Sequence, residues 1–463
     1  MFWQSRSGGA EDRIFLIEGE SRYSYGDIFR LGDEFFADLP RAVAIILCDR
    51  TYLTVAAYFG ALRHNIVPLL FDAHAKCSAL SQAIEAYAPR YLVGSSDIII
   101  DGYILTKRQG SKALFERIEP VACSLNDSLA LLIPTSGSTG DPKCVRLTGQ
   151  NIQSCTQAIV DYLAFTPDRV TVSLLPFQYS YGLSVLHNTA YVRGTMLLTE
   201  QSVLEKDLWR RIEDAGVTDI SGVPFTFEML RRVRLSEKVL SALCCVTQAG
   251  GGLAPQQTRY FWQYFSDHDV RYFTMYGQTE AAPRISYVPP ERAMEKLGSV
   301  GIPIPGGQAE IIEEIQGSGE GELVYKGRNV SMGYASSWKD LAQGDCQGGI
   351  LHTGDIARID KDGFITIVGR KKRFIKLHGI SVNLDHVQIT LRNAGADCMV
   401  VGKENCMVVC VKKADMDIAQ AVIKERYDFH STTVRVEVCE DFPVTASNKP
   451  DYATLSRKYM LSS

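Results

Sequence analysis

The 463-residue chain carries twelve cysteines but no pair of CxxC knuckles, so neither a zinc ribbon nor a disulfide framework is expected. The thiols read as reduced and mostly buried, with Cys244 and Cys245 adjacent on a buried strand. Charge of one sign is also lacking: 49 Lys and Arg against 53 Asp and Glu leave a formal charge of −4. That balance gives no bulk attraction to nucleic acid or anionic membrane, and any basic site must be local. No apolar run approaches a bilayer span; "VAIILC" (Val43–Cys48) is strand-length. Met1-Phe2-Trp3-Gln4 is not followed by the charged, apolar and small-residue regions of a secretory signal, so a cytoplasmic protein is expected. There is no internal repeat and no low-complexity tract.

What is present fits a globular enzyme, with 46% hydrophobic and 22% charged residues. The length calls for a large domain plus a smaller one. From Val43 to about Gly250 short apolar strands ("VAIILC", "YLVG", "VTVSLLP", "TMLLTE", "DISGVP", "ALCCVTQAGG") alternate with helical patterns, which argues for layered α/β units. After Gly298 the texture turns β-rich, with a hairpin around Asp362-Gly363. Beyond the basic stretch "RKKRFIK" about ninety residues suffice for a small α+β domain.

The stretch "PTSGSTGDPK", Pro134 to Lys143, follows the apolar strand "ALLIPTS". Backbone N–H groups in a glycine-permitted turn form an anion-binding concavity. In the P-loop of ATPases Gly-Lys-Ser/Thr runs straight into a helix; here Pro142 precedes Lys143 and "CVRLT" behind it is β-like. The loop therefore joins two strands, with Ser136, Ser138, Thr139 and Lys143 as phosphate donors, or is a hydrophilic hairpin turn. Four further stretches bear on the choice. "YGQTE" (Tyr276 to Glu280) offers an aromatic face, a hydroxyl and a carboxylate able to hold Mg²⁺. "HTGD" ends on Asp355, suited to a ribose diol; "GRKKRFIKLHG" supplies Arg370 and a cation run; "TASNKPDY" places Lys449 in a near-terminal loop. Each alone has a structural reading as a turn, a cap or a solvated face.

In this order, with "QAGGGLAP" and "GELVYKGRNVSMGY", the motifs resemble the adenylate-forming superfamily of acyl-CoA synthetases, peptide-synthetase adenylation domains and firefly luciferase, over nearly the whole chain. The resemblance implies an α/β fold with a large N-terminal domain (1–371) of layered α/β subdomains plus a β subdomain, and a small mobile α+β C-terminal domain (372–463). It implies activation of a carboxylic acid by Mg·ATP to an acyl-adenylate, then transfer to a thiol of coenzyme A or carrier-protein phosphopantetheine. Under it Thr135, Ser136, Gly137, Ser138, Thr139, Gly140 and Lys143 hold the β- and γ-phosphates. Gly250, Gly251, Gly252, Tyr276 and Gly277 frame adenine, Thr279 meets the α-phosphate, and Glu280 binds the metal. Asp355 and Arg370 bind the ribose, and Lys449 bridges substrate carboxylate and α-phosphate. Lys372 is the hinge, and Lys376 with the Gly379 region lines the thiol tunnel. Lys371 and Arg373 remain open to reading as a solvated basic face.

Two departures stand out. Asn448 replaces the glycine common before the terminal lysine, a residue that also tolerates left-handed backbone. Gln178 follows Phe177 where relatives that activate α-amino acids carry an aspartate, which disfavours an ordinary α-amino acid. Gln178, Tyr179, Tyr181, Gly182, Val223 and Phe225 are the expected acyl-pocket residues. The Asp127-Ser128 pair mimics a carrier-protein attachment site but leads directly into the strand before the glycine loop, so any carrier is a separate protein. Two other readings stay open: loading of an amino-bearing acid onto a dedicated carrier, and a nucleotide-binding relative without turnover.

Overall fold

All six residues of Val43–Cys48 are buried, as a parallel strand covered on both faces requires. It pairs in parallel with Val67–Asp72 and Tyr91–Ser95 inside an eight-stranded sheet that also holds Leu129–Thr135, Lys143–Thr148 and Tyr334–Ala335. A nine-stranded sheet lies in the same unit, and its strands Asp219–Gly222, Cys245–Gln248 and Arg271–Tyr276 are parallel and in register. Their carboxyl ends therefore emerge along one edge, where open α/β sheets bind ligands. Val223, Gly250 to Gly252 and Gly277 to Glu280 follow directly from those ends.

The computed structural model describes residues 1–4, 11–135, 143–313, 318–377, 380–427, 433–444 and 450–460. Two compact units result: Met1–Ala309 with Tyr325–Leu351, and Glu310–Val324 with His352–Ser463. The second includes most of a four-stranded sheet built from Gln308–Ile312, Gly321–Lys326, Ile350–Ile359 and Ile365–Arg370. Its last two strands form the antiparallel hairpin expected around Asp362-Gly363. The same unit holds the three-stranded sheet Cys398–Lys403, Cys406–Val411, Val434–Val438 and the helices Leu384–Asn393, Met416–Arg426 and Tyr452–Met460.

Local expectations were met in kind and altered in extent. The helix Tyr52–Arg63 is capped by Thr51, whose side chain accepts from the Thr54 N–H. The "VTVSLLP" strand is shorter than its apolar run, Val170–Val172 only, because the Leu174 N–H turns back to the Val172 carbonyl at 3.0 Å instead of continuing the ladder. The Cys244-Cys245 expectation is corrected: the strand starts at Cys245, which is buried, while Cys244 is exposed. All twelve cysteines are free and seven of them are buried.

Candidate active site

The strands Leu129–Thr135 and Lys143–Thr148 pair antiparallel and close on Thr135↔Lys143, so the glycine loop joins two strands rather than a strand and a helix. Ser136, Gly137, Ser138, Thr139 and Gly140 lie outside the described residues. Thr135 Oγ1 donates to the Lys143 carbonyl at 3.2 Å. On the far side of Lys143–Thr148 runs Tyr334–Ala335, in register Tyr334↔Val145 and Ala335↔Cys144. Arg146, fully buried, secures this edge by donating to the carbonyls of Tyr334 (3.1 Å), Gln343 (2.5 Å), Met332 (2.9 Å) and Gly344 (3.2 Å). Carbonyl dipoles thus compensate a buried cation.

That clamp fixes Tyr334 beside Lys143. The Lys143 Nζ stands over the Tyr334 ring, 3.4 Å from its centroid, and the Tyr334 hydroxyl donates to Glu280 Oε1 at 2.5 Å. Two predicted phosphate and metal residues are thereby joined through a third, Tyr334, to which the sequence reading gave no role. Its only signal there was its place at the end of "GELVYKGRNVSMGY".

The "YGQTE" motif leaves the strand Arg271–Tyr276 and forms a short 3₁₀ turn, Thr279–Ala281. Gly277 is required: a Cβ there would lie 1.8 Å from the Pro283 carbonyl oxygen. The Gln278 amide donates to the Tyr276 hydroxyl at 3.3 Å. Thr279 Oγ1 lies 3.0 Å from Ser180 Oγ, and the Glu280 carbonyl accepts from the Ser331 N–H at 2.8 Å. Asn329 Nδ2 holds the carbonyls of Ala281 (2.6 Å) and Arg284 (2.8 Å). The acidic motif is therefore fastened by the segment 325–334, far away in sequence.

Gly250 adopts φ +81°, and a Cβ on it would meet Val223 Cγ1 at 3.0 Å, so glycine is needed here on both counts. Gly251 packs likewise against Pro224, and its carbonyl accepts from Gln248 Nε2 at 2.8 Å; Gly252 has open space around it. Among the expected pocket residues, Gln178, Tyr179, Tyr181 and Val223 are half-buried, and Tyr179 caps the helix Ser180–Val192. Gly182 sits beneath the Pro176 carbonyl, where a Cβ would come within 2.2 Å, and Phe225 is 49% exposed. The Tyr181 hydroxyl donates to the Thr247 carbonyl (3.1 Å) and lies 2.8 Å from Thr247 Oγ1, itself 2.8 Å from Ser221 Oγ. Burial raises the Tyr181 hydroxyl pKa, and the charge of Arg284 opposes the rise. Arg284, buried and absent from the sequence reading, has its guanidinium 5.0 Å from the Tyr181 ring centroid.

In the second unit Asp355 and Arg370 face each other across the hairpin. Arg370 Nε lies 2.7 Å from Asp355 Oδ1, the acid buried and the arginine side chain exposed. The next three residues form a 3₁₀ turn, Lys371–Arg373. Lys371 is paired with Glu313 (2.5 Å) and Glu322 (2.8 Å), and these carboxylates push its pKa up to about 12. Arg373 pairs with Asp385 at 2.5 Å and lies over Tyr452, 3.7 Å from the ring centroid. Neither is a merely solvated cation, which corrects that reading. Lys372 is exposed and has no ion pair among the described residues; Lys376 is exposed on the strand Phe374–Leu377. Gly379, Asn448 and Lys449 lie outside the described residues, although Val444 and Pro450 bridge on either side of the lysine loop.

The donor set around Glu280 suits Mg²⁺ bound with phosphates. A protein-only cage needs several acidic or imidazole ligands, and among the described residues no group of three or more His, Cys, Asp or Glu could hold a metal ion. One carboxylate completed by substrate phosphates is the usual arrangement for this ion.

The family described as "AMP-binding enzyme" matches residues 4–335. The chain is 28% identical over 473 residues to the 2-succinylbenzoate–CoA ligase of Bacillus subtilis, covering 95% of this chain and 93% of that one. It is 25% identical over 488 residues to the D-alanine–D-alanyl carrier protein ligase of Listeria innocua, covering 94% of each. Its fold matches o-succinylbenzoate coenzyme A synthetase from Bacillus subtilis in complex with ATP and magnesium, with a TM-score of 0.76, 21% identity and coverage of 98% of this chain and 99% of that one. The expected α/β fold is therefore the observed one. With more than two thirds of its length matched by the family, the chain belongs to the AMP-binding enzymes.

Proposed function

We propose that the protein is an AMP-forming acid–thiol ligase. A carboxylate oxygen attacks the α-phosphorus of ATP, the bond to the β-phosphate breaks, and pyrophosphate leaves. The thiol sulfur then attacks the acyl carbon, the acyl–phosphate bond breaks, AMP leaves and the thiol proton passes to solvent. Bringing two anions together demands cations at the phosphates and strict alignment. The observation that carries the reading is the Lys143–Tyr334–Glu280 chain, which joins a lysine suited to phosphate and a carboxylate suited to a metal ion through one tyrosine.

In this reading Thr135 and Lys143, with the loop between them, hold the β- and γ-phosphates, and Glu280 holds Mg²⁺, which neutralises phosphate charge when bound. Thr279 donates to the α-phosphate; Gly250 to Gly252, Tyr276 and Gly277 frame adenine; Asp355 and Arg370 take the ribose. Lys449, on a mobile domain beginning at Lys372, bridges the reacting carboxylate and the α-phosphate. Lys376 lies on the thiol side.

Coenzyme A is the first candidate acceptor, as in the name of the Bacillus relative; likeness to a carrier-protein ligase supports a separate carrier as the alternative. Among the described residues no helix is long and apolar enough to cross a membrane, and we place the enzyme in the cytoplasm, where ATP and reduced thiols are abundant.

Pyrophosphate release from Mg·ATP across short, hydroxy, aryl, fatty and amino acids, with and without coenzyme A, tests the proposal. Acid-dependent release with AMP formation is expected, rising when the right thiol is present. Binding of Mg·ATP with no acid-dependent release across the panel, with or without a carrier protein, would favour a nucleotide-binding protein without turnover.

A further inference from the structure

Among the described residues three arginines are buried: Arg146, Arg169 and Arg284. Arg146 is surrounded by carbonyl acceptors, and Arg169 makes two hydrogen bonds to Asp219 at 2.6 and 2.9 Å. Arg284 is 2% exposed, has no ion pair among the described residues, and keeps its Nε buried without a hydrogen-bond partner. Burying a guanidinium without an anion is costly. A guanidinium buried this way, against the Tyr181 ring and with no anion among the described residues to offset it, leaves its compensating charge to a ligand.

The surroundings say which end of the ligand it meets. Arg284 follows Glu280 by four residues, on the chain just beyond the metal and α-phosphate residues. Its guanidinium lies 5.0 Å from the Tyr181 ring. Tyr181 adjoins Ser180, which contacts Thr279, and its hydroxyl reaches Thr247 on the next strand. An acyl substrate whose reacting carboxylate stands at Thr279 would extend its far end along Tyr181. Gln178, two residues before Ser180, is neutral and supplies no counter-charge to an ammonium group.

We infer that Arg284 binds a second carboxylate at the distal end of the acyl substrate, so that the enzyme selects dicarboxylic acids over monocarboxylic acids of the same length. The inference rests on the ligase reading for its assignment of the near end. Arg284 acts by direct contact with substrate, with the guanidinium forming a two-pronged hydrogen bond to the carboxylate.

The test uses matched pairs, succinate with butyrate, glutarate with pentanoate and phthalate with benzoate, in acid-dependent pyrophosphate exchange. The wild type is expected to prefer at least one diacid over its partner by about 100-fold. Arg284→Leu removes the preference while its binding of a fluorescent ATP analogue persists, and Arg284→Lys retains part of it. Diacid-induced thermal stabilisation without ATP is read in parallel, and is expected in the wild type and lost in Arg284→Leu. Monoacids equal to diacids throughout, or a diacid preference surviving in Arg284→Leu, would overturn the inference. So would loss of ATP binding in place of acid selectivity, which would assign Arg284 to phosphate. If no acid supports exchange, the ligase reading fails; equal diacid stabilisation of wild type and Arg284→Leu, or none in either, then overturns this inference on its own.

Discussion

The Lys143 ammonium stands 3.4 Å from the centroid of the Tyr334 ring. The same residue donates its hydroxyl to Glu280, so one side chain contacts both a cation and a carboxylate. Under the proposed ligase reading Tyr334 positions the nucleotide through these two neighbours.

Separating ring from hydroxyl tests this role. Tyr334→Phe keeps the surface under Lys143 and loses the bond to Glu280, and should raise the Mg²⁺ concentration for half-maximal exchange about tenfold, the usual cost of removing an outer partner of a metal ligand. Tyr334→Leu should in addition weaken binding of a fluorescent ATP analogue in EDTA, where Lys143 acts without metal. Identical Mg²⁺ profiles in the wild type and Tyr334→Phe would remove the role.

The proposed hinge can be tested by fixing one torsion. Lys372 lies in a 3₁₀ turn, whose backbone angles proline accepts, whereas a large rotation about φ is closed to proline. Lys372→Pro should form acyl-adenylate near the wild-type rate and transfer it to thiol at least about tenfold more slowly. Lys449→Ala should lose adenylation and still bind ATP. Single-turnover assays resolve the two steps, and equal loss of both in Lys372→Pro would refute the hinge.

The Arg169–Asp219 pair is buried at both ends, each side chain 2% exposed, with Thr171 Oγ1 also donating to Asp219 at 2.8 Å. Removing one partner strands the other charge. Asp219→Asn should therefore destabilise the protein by about 3–5 kcal/mol, and the apolar double variant Arg169→Met with Asp219→Leu should lose less than the single one. Urea unfolding measures both; a double variant as unstable as the single one would count against the stranded-charge account.

His187 couples stability to pH. Buried and 2.6 Å from the Tyr58 hydroxyl, its pKa falls from 6.5 to about 3 because burial disfavours the charged ring. Above pH 6.5 the ring is neutral in folded and unfolded chains, and its contribution is fully present. As pH falls below 6.5 the unfolded chain takes a proton that the folded one refuses. Stability then drops by about 1.4 kcal/mol per pH unit from this group until the folded pKa is reached. Urea unfolding at pH 7, 6 and 5 should show His187→Gln with a shallower decline than the wild type; parallel curves would mean that His187 does not set it.

The sequence by itself determined the alternation of strands and helices, the two strands flanking the glycine loop, the strand ending at the "YGQTE" motif, and the hairpin around Asp362-Gly363. Each follows from short-range patterning: side-chain period, turn residues, and glycine where backbone must pass close. Packing alone decided that Cys244 is exposed while Cys245 is buried, that Lys371 and Arg373 have acidic partners, and that Tyr334 lies between Lys143 and Glu280. Only the tertiary structure could show Arg284 buried without an anion among the described residues. A guanidinium's partner is set by which chain segments meet around it, and residues distant in sequence supply most of those neighbours.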